Sequence, residues 1–378
     1  MRIASFNMEN LFQRAAVLNL PSSAASRKVL EQVAEINALF EKEPYFDADK
    51  KRMVKILVEL GLGKTDEGDR TALAQLRVIR GKLLVRHQVP AGAAPNIEIT
   101  ASGRLAWVGW VEHKIESVRA KATEHTAMVV REVKPDILGV VEVESRQALQ
   151  KFSSELIADV GGTPFGQVMV IDGNDDRGID VGIGVVPGYK ILRIETHIFD
   201  TDTAGVIFSR DCAEYLIETP GKAKVVVLVN HFKSQGFGSP ASNDAKRKRQ
   251  SIAVANIYKQ LTADGFENVA VVGDLNGAPT TDPLLPLTTG TNLKDVSKLA
   301  GFNSGGFAGT FGECGPKDKF DYVLLSPALA SKVTGGGVFR RGIVAGPNGK
   351  KFNPFPTIKG PQDAASDHGA IFADVNLP

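Results

Sequence analysis

The sequence predicts an α/β fold in which two mixed sheets pack together under a cover of helices. Three observations predict it. Short apolar runs bounded by Gly, Pro, Asn or Asp recur along the chain, as in Val269-Ala270-Val271-Val272 between Asn268 and Gly273, and read as buried strands. Segments of helical period stand between some of them, one set being Val29, Val33, Ile36, Leu39 and Phe40. Polar residues collect where the apolar runs stop, the place where α/β proteins mount chemistry on a rigid base. Composition agrees. Of 378 residues, 43% are apolar and 23% charged, as in a soluble globular protein with a sizeable core. The net charge of +2 argues neither for nor against a polyanionic partner. No run approaches the roughly 20 apolar residues that span a bilayer, and the start of the chain has no secretory layout. The expectation is a cytoplasmic protein with no membrane contact, or a secreted one whose leader was removed. Cys212 and Cys314 form no metal-type cluster, and a disulfide or two buried thiols are both open.

Taken in order, Arg2 to Asn7 reads as a strand, followed by helices over 22–40 and 51–60, the latter stopped by Gly61 and Gly63. A further helix-like run covers 71–80. Strands follow over 82–89 and 96–111, the second folded into a hairpin at Ser102-Gly103. Positions 111–133 read as one long amphipathic helix ended by Pro135. Strands are then expected at 136–143, 166–171, 178–186, 189–199, 205–218 and 224–232, and a helix at 242–261. After the strand at 268–274 come a Pro-rich loop, a short helix near 292–300, a strand at 319–326, a Gly-rich stretch and a closing strand at 368–375. There is no internal repeat. One domain is expected over 1–378, with an inserted segment at about 44–110.

The strand ends carry the chemistry. Gly273-Asp274-Leu275-Asn276 closes its strand with Asp274 and Asn276 on one side, and Gly273 lets the backbone come close to whatever they bind. Asn7 ends the first strand. Glu142 ends an apolar run, with Glu144 two residues on as the alternative carboxylate. His231 closes its strand, with Lys233 on the same face, and Asp367-His368 opens the last. Asp321 is a carboxylate inside an otherwise apolar strand and needs a partner.

With Ser5-Phe6-Asn7, Val141-Glu142-Val143, Asn230-His231-Phe232, Gly273-Asp274-Leu275-Asn276, Phe320-Asp321-Tyr322 and Ser366-Asp367-His368 in that order, the chain resembles the endonuclease/exonuclease/phosphatase superfamily. The resemblance implies a four-layer α-β-β-α sandwich, a divalent cation (Mg²⁺ or Mn²⁺) and a site at one edge of the two sheets. The residues suit such chemistry on their own account. Phosphodiester hydrolysis needs an in-line water, neutralised phosphoryl oxygens and help for the leaving alkoxide. Glu142 with Asn7 beside it can anchor Mg²⁺; Asp274 is the candidate to orient or deprotonate the water, with Asn276 holding water or phosphate. By resemblance Asp321 pairs with His368, which stabilises charge or shuttles a proton. Asp367 is a candidate for a second metal or a metal-bound water, and His231 for a phosphoryl contact. Lys233, Arg177, Asp180 and Arg210 are candidate substrate contacts.

The stretch Asn230 to Gly236, with Asn243, Arg247-x-x-Gln250 and Asp282-Pro283, looks most like bacterial predicted nucleases of this superfamily. The inserted segment carries more Lys and Arg than Asp and Glu; Arg77, Arg80, Lys82, Arg86 and Arg104 could follow a phosphate backbone. Lys246 to Arg249 reads chiefly as a solvated helix face, and Trp107 and Trp110 as packing. The expected function is therefore a Mg²⁺/Mn²⁺-dependent phosphodiesterase acting on nucleic acid, foremost a DNase, with no protein partner inferable. The alternatives are a sphingomyelinase-like phospholipid enzyme, which needs an exposed aromatic hairpin within 96–111, and a non-catalytic binding protein on the same fold.

Overall fold

The computed structural model describes residues 1–11, 13–15, 23–63, 73–90, 95–113, 115–117, 120–175, 178–236 and 238–378. The chain forms two compact units: Met1–Phe12 with Arg119–Pro378, and Gln13–Val118. The expected insertion at about 44–110 lies inside the second.

The large unit runs β1 (Arg2–Leu11), α1 (Ala120–Val133), β2 (Ile137–Val143), β3 (Gln167–Ile171), β4 (Asp180–Val185), β5 (Lys190–Glu195), β6 (Cys212–Glu218), β7 (Lys224–His231), α2 (Pro240–Ala263), β8 (Val269–Asp274), β9 (Lys294–Asp295), β10 (Phe302–Asn303), β11 (Asp321–Leu325), β12 (Val333–Phe339) and β13 (Ala370–Val375). One sheet has the order β10-β12-β13-β1-β2-β4-β3 and the other β5-β6-β7-β8-β11-β9. Both are mixed: β1 is parallel to β2 and antiparallel to β13, while β8 is parallel to β7 and antiparallel to β11.

The layers follow from strand alternation. Ile3, Val141, Ile183 and Ile371 from the first sheet pack with Val227, Val229, Val272 and Val323 from the second. The first sheet's other face, with Ala4, Phe6, Leu138 and Val140, is covered by Ala127, Val130 and Val133 of α1. The second sheet's other face, with Leu228, Val271 and Leu324, is covered by Val254, Tyr258 and Leu261 of α2. This is the expected four-layer α-β-β-α sandwich.

The small unit has its own core, in which Ile36, Phe40, Met53, Leu57, Leu76, Ile97 and Trp107 are fully or nearly fully buried. Trp107 Nε1 donates to Tyr45 Oη at 2.7 Å, and its ring meets Phe40 edge-on.

Several local expectations are corrected. Within the helix-like run at 71–80, of which 71 and 72 lie outside the described residues, Ala74–Arg80 is a strand paired with Val108–His113; Ala74, Leu76 and Val78 fit a period of two as well as a helix. The two halves of 96–111 do not pair with each other, since Asn96–Ile99 pairs with Leu84–His87. Of the expected helix at 111–133, Ala120–Val133 is helix, while 111–113 pair with 74–76 and Ile115–Ser117 with Gln13–Ala15; 114, 118 and 119 lie outside the described residues. Near 292–300 the chain makes the strand Lys294–Asp295 and a single helical turn, Val296–Lys298. The Gly-rich stretch contributes the strand Val333–Phe339, and the chain also forms a helical run from Arg146 to Ile157 that the apolar pattern does not announce. Cys212 and Cys314 are buried free thiols. Among the described residues, no helix is long and apolar enough to cross a membrane.

Candidate active site

Pairing register builds the site. On the second sheet His231 stands opposite Asp274, and Asp274 opposite Asp321, so three polar residues cross adjacent strands in one row. On the first sheet Asn7 is paired with Val141, next to Glu142. His368 enters just before β13, which pairs with β1. The backbone is unusual at these strand ends. Glu142 has φ +63°, Asn276 φ +51° and Gly273 φ +133°. A Cβ on Gly273 would lie 1.9 Å from the Asn230 carbonyl oxygen, so only glycine admits this close approach of β7 to β8. Left-handed backbone at non-glycine residues is uncommon and clusters at functional sites.

Asp274 is the hub. Its Oδ2 accepts from Asn7 Nδ2 at 3.2 Å, which joins the two sheets, and lies 3.8 Å from both His231 Nε2 and His368 Nε2. Its Oδ1 accepts from the Asn276 backbone N–H at 2.8 Å. The Asn276 side chain donates to the Phe232 carbonyl at 3.2 Å, tying the strand-end loop to β7. His368 Nδ1 is 2.7 Å from Asp321 Oδ2, and its backbone N–H donates to Ser366 Oγ, which donates in turn to the Asn7 carbonyl. His231 Nε2 is 3.9 Å from Glu142 Oε1. Asp367 is half exposed, 3.7 Å from His368 Nε2. The structure thus brings together Asn7, Glu142, His231, Asp274, Asn276, Asp321, Asp367 and His368.

Burial shapes the charges. It raises the Asp274 carboxyl well above the ordinary carboxylate range; His368 opposes this, and Asp321 and Glu142 add to it. Burial likewise raises Glu142, with His368 and the Asn7 hydrogen bond pulling down. For His368, burial disfavours the imidazolium, but Asp321 and Asp274 outweigh it and the pKa rises to about 10.

Four carboxylates, Glu142, Asp274, Asp321 and Asp367, therefore meet only two imidazoles here. That excess of negative charge, with hard oxygen donors from Glu142 and Asn7, fits a divalent cation. Atoms of Asp274, Asp321 and His368 also lie within 4.8 Å of one another, with His368 Nδ1 and Asp321 Oδ2 already 2.7 Å apart. The Asn7–Glu142 side suits it better.

The other candidates that the structure describes have partners within the fold. Arg177 lies outside the described residues. Asp180 is buried and accepts from Gly173 N–H at 2.8 Å, closing the loop before β4, and burial pushes its carboxyl up to about 7. Arg210, also buried, pairs with Asp175 at 2.9 Å and helps to hold the Glu142 carboxylate charged. Lys233 donates its Nζ to the Gly236 carbonyl at 2.9 Å. Arg210 Nη1 also lies 3.4 Å from the Phe232 carbonyl, which accepts from the Asn276 side chain. In the run at 246–249 only Arg247 is buried, and the other three side chains are partly exposed. Lys246 donates to Val206, Arg247 is buried and donates to the Lys233 carbonyl, and Lys248 and Arg249 pair with Asp282 and Asp202.

The centre also rests on residues to which sequence reasoning gives no role. Thr310 Oγ1 accepts from the N–H groups of Phe320 and Asp321, and Phe311 packs on both Phe320 and His368. Gln250 Oε1 accepts from Lys233 N–H, and Asn243 donates to the Gln235 carbonyl. The spacing Asn243, Arg247 and Gln250 on one helix face is the available signal; Thr310 and Phe311 carry none.

The profile of the Endonuclease/Exonuclease/phosphatase family matches residues 117–368. No curated protein matches in sequence. Similar solved structures include a mannosyl-6-phosphatase of Bacteroides thetaiotaomicron, 14% identical, covering 68% of this chain and 91% of that one at a TM-score of 0.51. Truncated TDP2 of Caenorhabditis elegans is 20% identical, with coverage of 68% and 90% and a TM-score of 0.48. The human Nocturnin catalytic domain is 15% identical, with coverage of 68% and 87% and a TM-score of 0.48. The family match spans most of the large unit and contains every centre residue except Asn7. The chain belongs to the Endonuclease/Exonuclease/phosphatase family and is a phosphoesterase hydrolase, of a family whose enzymes are generally dependent on divalent metal.

Proposed function

We propose that the protein is a Mg²⁺- or Mn²⁺-dependent phosphodiesterase acting on nucleic acid, with DNA as its substrate. The observation that carries this is the convergence of Asn7, His231 and His368 on the buried Asp274 carboxylate, with Asp321 behind His368. Glu142 and Asn7 would hold the cation, with Asp367 as a further ligand. When bound it supplies Lewis-acid polarisation of a phosphoryl oxygen and offsets the site's negative charge.

The remaining work falls to the chain's own groups. Asp274 takes a proton from the attacking water as its oxygen bonds to phosphorus. Asn276, its backbone N–H already on Asp274, presents its side chain to water or phosphate. His231 donates to a non-bridging oxygen. His368, kept protonated by Asp321, gives a proton to the leaving alkoxide as the P–O bond breaks. DNA as substrate is supported by the resemblance of the Asn230 to Gly236 stretch and the paired positions on α2 to bacterial predicted nucleases.

The phospholipid alternative needs an exposed aromatic hairpin within 96–111; the halves of that segment do not pair with each other, Trp107 is fully buried and Trp110 is exposed. The test is a substrate panel of plasmid, linear duplex, single strands, RNA, a sugar phosphate and a choline phospholipid, each with and without Mg²⁺ or Mn²⁺. Metal-dependent nicking of plasmid is expected. Turnover of the phospholipid or the sugar phosphate alone would overturn the nucleic-acid reading while leaving the phosphoesterase chemistry.

A further inference from the structure

The buried face of α2 changes character along its length. Its second half turns Val254, Tyr258 and Leu261 onto the second sheet, as an amphipathic helix does. Its first half buries Asn243, Arg247 and Gln250 instead, 2%, 5% and 0% exposed. Residues at this spacing share one side of a helix, so the three form a polar stripe. Buried polar side chains cost free energy unless hydrogen bonds replace those lost to water. A face that served stability alone would be met by apolar packing, as the second half of α2 shows.

All three reach one loop, 232–236, which leaves β7 just after His231. The backbone of Lys233 is gripped on both sides: its N–H donates to Gln250 Oε1 at 2.8 Å, and its carbonyl accepts from Arg247 Nη1 at 2.9 Å. Asn243 Nδ2 lies 3.0 Å from the Gln235 carbonyl and 3.2 Å from that of Gly236. The loop so fixed turns back on Asn276. The Phe232 carbonyl accepts from Asn276 Nδ2 at 3.2 Å, and Gln235 Nε2 donates to the Asn276 carbonyl at 3.1 Å. Apart from the bond of its N–H to Asp274, these are the hydrogen bonds of Asn276 among the described residues. Asn276 stands at φ +51°, a backbone conformation that a residue other than glycine keeps only where its surroundings hold it.

We propose that Asn243, Arg247 and Gln250 are positioning residues for Asn276. The polar half of α2 sets the loop at 232–236, and the loop holds Asn276 in the conformation in which it serves the reaction. Among the described residues none of the three hydrogen-bonds a residue of the centre, so they act through the loop. The inference rests on the role proposed above for Asn276 in hydrolysis.

The test is a double-mutant cycle in the full chain. Gln250→Leu removes the acceptor for the Lys233 N–H at similar volume. It should lower kcat for plasmid cleavage about 10- to 100-fold, the cost of a small misplacement at a reacting centre, with KM within about threefold. In an Asn276→Ala background the same substitution should lower kcat by less than about twofold, because the group it positions is gone. Should Gln250→Leu fail to fold, Asn243→Ala should show the same coupling with a smaller loss, since the carbonyls it frees belong to the exposed Gln235 and Gly236. Amide exchange in the metal-free protein reads the link without turnover. In either variant the Asn276 N–H should exchange about tenfold faster or more, with the amides of 254–261 at the parent rate. An equal loss of kcat in both backgrounds, a loss confined to stability, or an Asn276 N–H that exchanges at the parent rate would overturn the assignment. Exchange needs no substrate, so it still decides the matter if the nucleic-acid reading fails, and failure here leaves the nuclease reading standing.

Discussion

In the large unit, Asp274, Asp321, His231 and His368 lie buried and linked at 2.7–3.8 Å. In the small unit, charged side chains pair at the surface, as Arg52 does with Glu35 and Arg77 with Glu112, above a core whose chief polar contact is Trp107 to Tyr45. The second arrangement is what stability alone selects. Buried polar groups cost free energy unless fully partnered, and exposed pairs add little. A row of carboxylates and imidazoles sunk into the edge of two sheets is expensive by that measure. Its persistence argues for chemistry in the large unit and for a self-sufficient fold in the small one.

The sharpest way to break this contrast is to remove the large unit's buried groups. Asp274→Asn and His368→Ala should each lower turnover by about 10²–10⁴-fold, the usual worth of an acid or base, with substrate binding changed only several-fold. Binding weakened in proportion to turnover would make these residues structural. The matching change in the small unit, Trp107→Ala, should instead cost about 3–5 kcal/mol of stability, as large aromatic deletions from cores do, read as a lower melting midpoint for that unit. A midpoint that does not move would deny the small unit a core of its own.

Asp321→Asn should be milder than His368→Ala, since it misorients the imidazole without removing it. If it proves the more damaging, the roles within the pair are wrong. The smallest effect is expected from Arg80→Glu with Arg86→Glu in the small unit. If these residues follow a phosphate backbone, duplex binding by an Asp274→Asn protein should show a shallower salt dependence. The slope should fall by about one unit for each phosphate that an arginine no longer neutralises. An unchanged slope places the DNA-binding surface elsewhere.

Asn7, Glu142, His231 and Asp274 are legible in the sequence because each ends an apolar run, and a period of two tells which side it faces. Asp321 stands out as a lone carboxylate in an apolar strand, and its partner comes from the family resemblance. What local pattern does not carry is pairing at a distance. Ala74–Arg80 fits helix and strand alike until Val108–His113 lies beside it, and the same pairing takes 111–113 from the expected helix at 111–133. The Asp295–Lys319 pair joins residues that no spacing in the sequence links. The sequence also gives no sign that Arg210 is buried and pairs with Asp175.

The central claim is that the Asn7–Glu142 edge holds a divalent cation on which hydrolysis by Asp274 and His368 depends. It is tested most directly by titrating Mn²⁺ into metal-stripped wild-type and Glu142→Gln proteins, following both metal binding and plasmid cleavage. The substitution keeps the side chain's shape and removes its charge, so the fold should survive. Cleavage by the wild type should appear with metal binding and vanish in excess EDTA, while Glu142→Gln should bind Mn²⁺ far more weakly and cut only at much higher concentration. Full cleavage in EDTA, or a Glu142→Gln protein that binds and cuts like the parent, would contradict it.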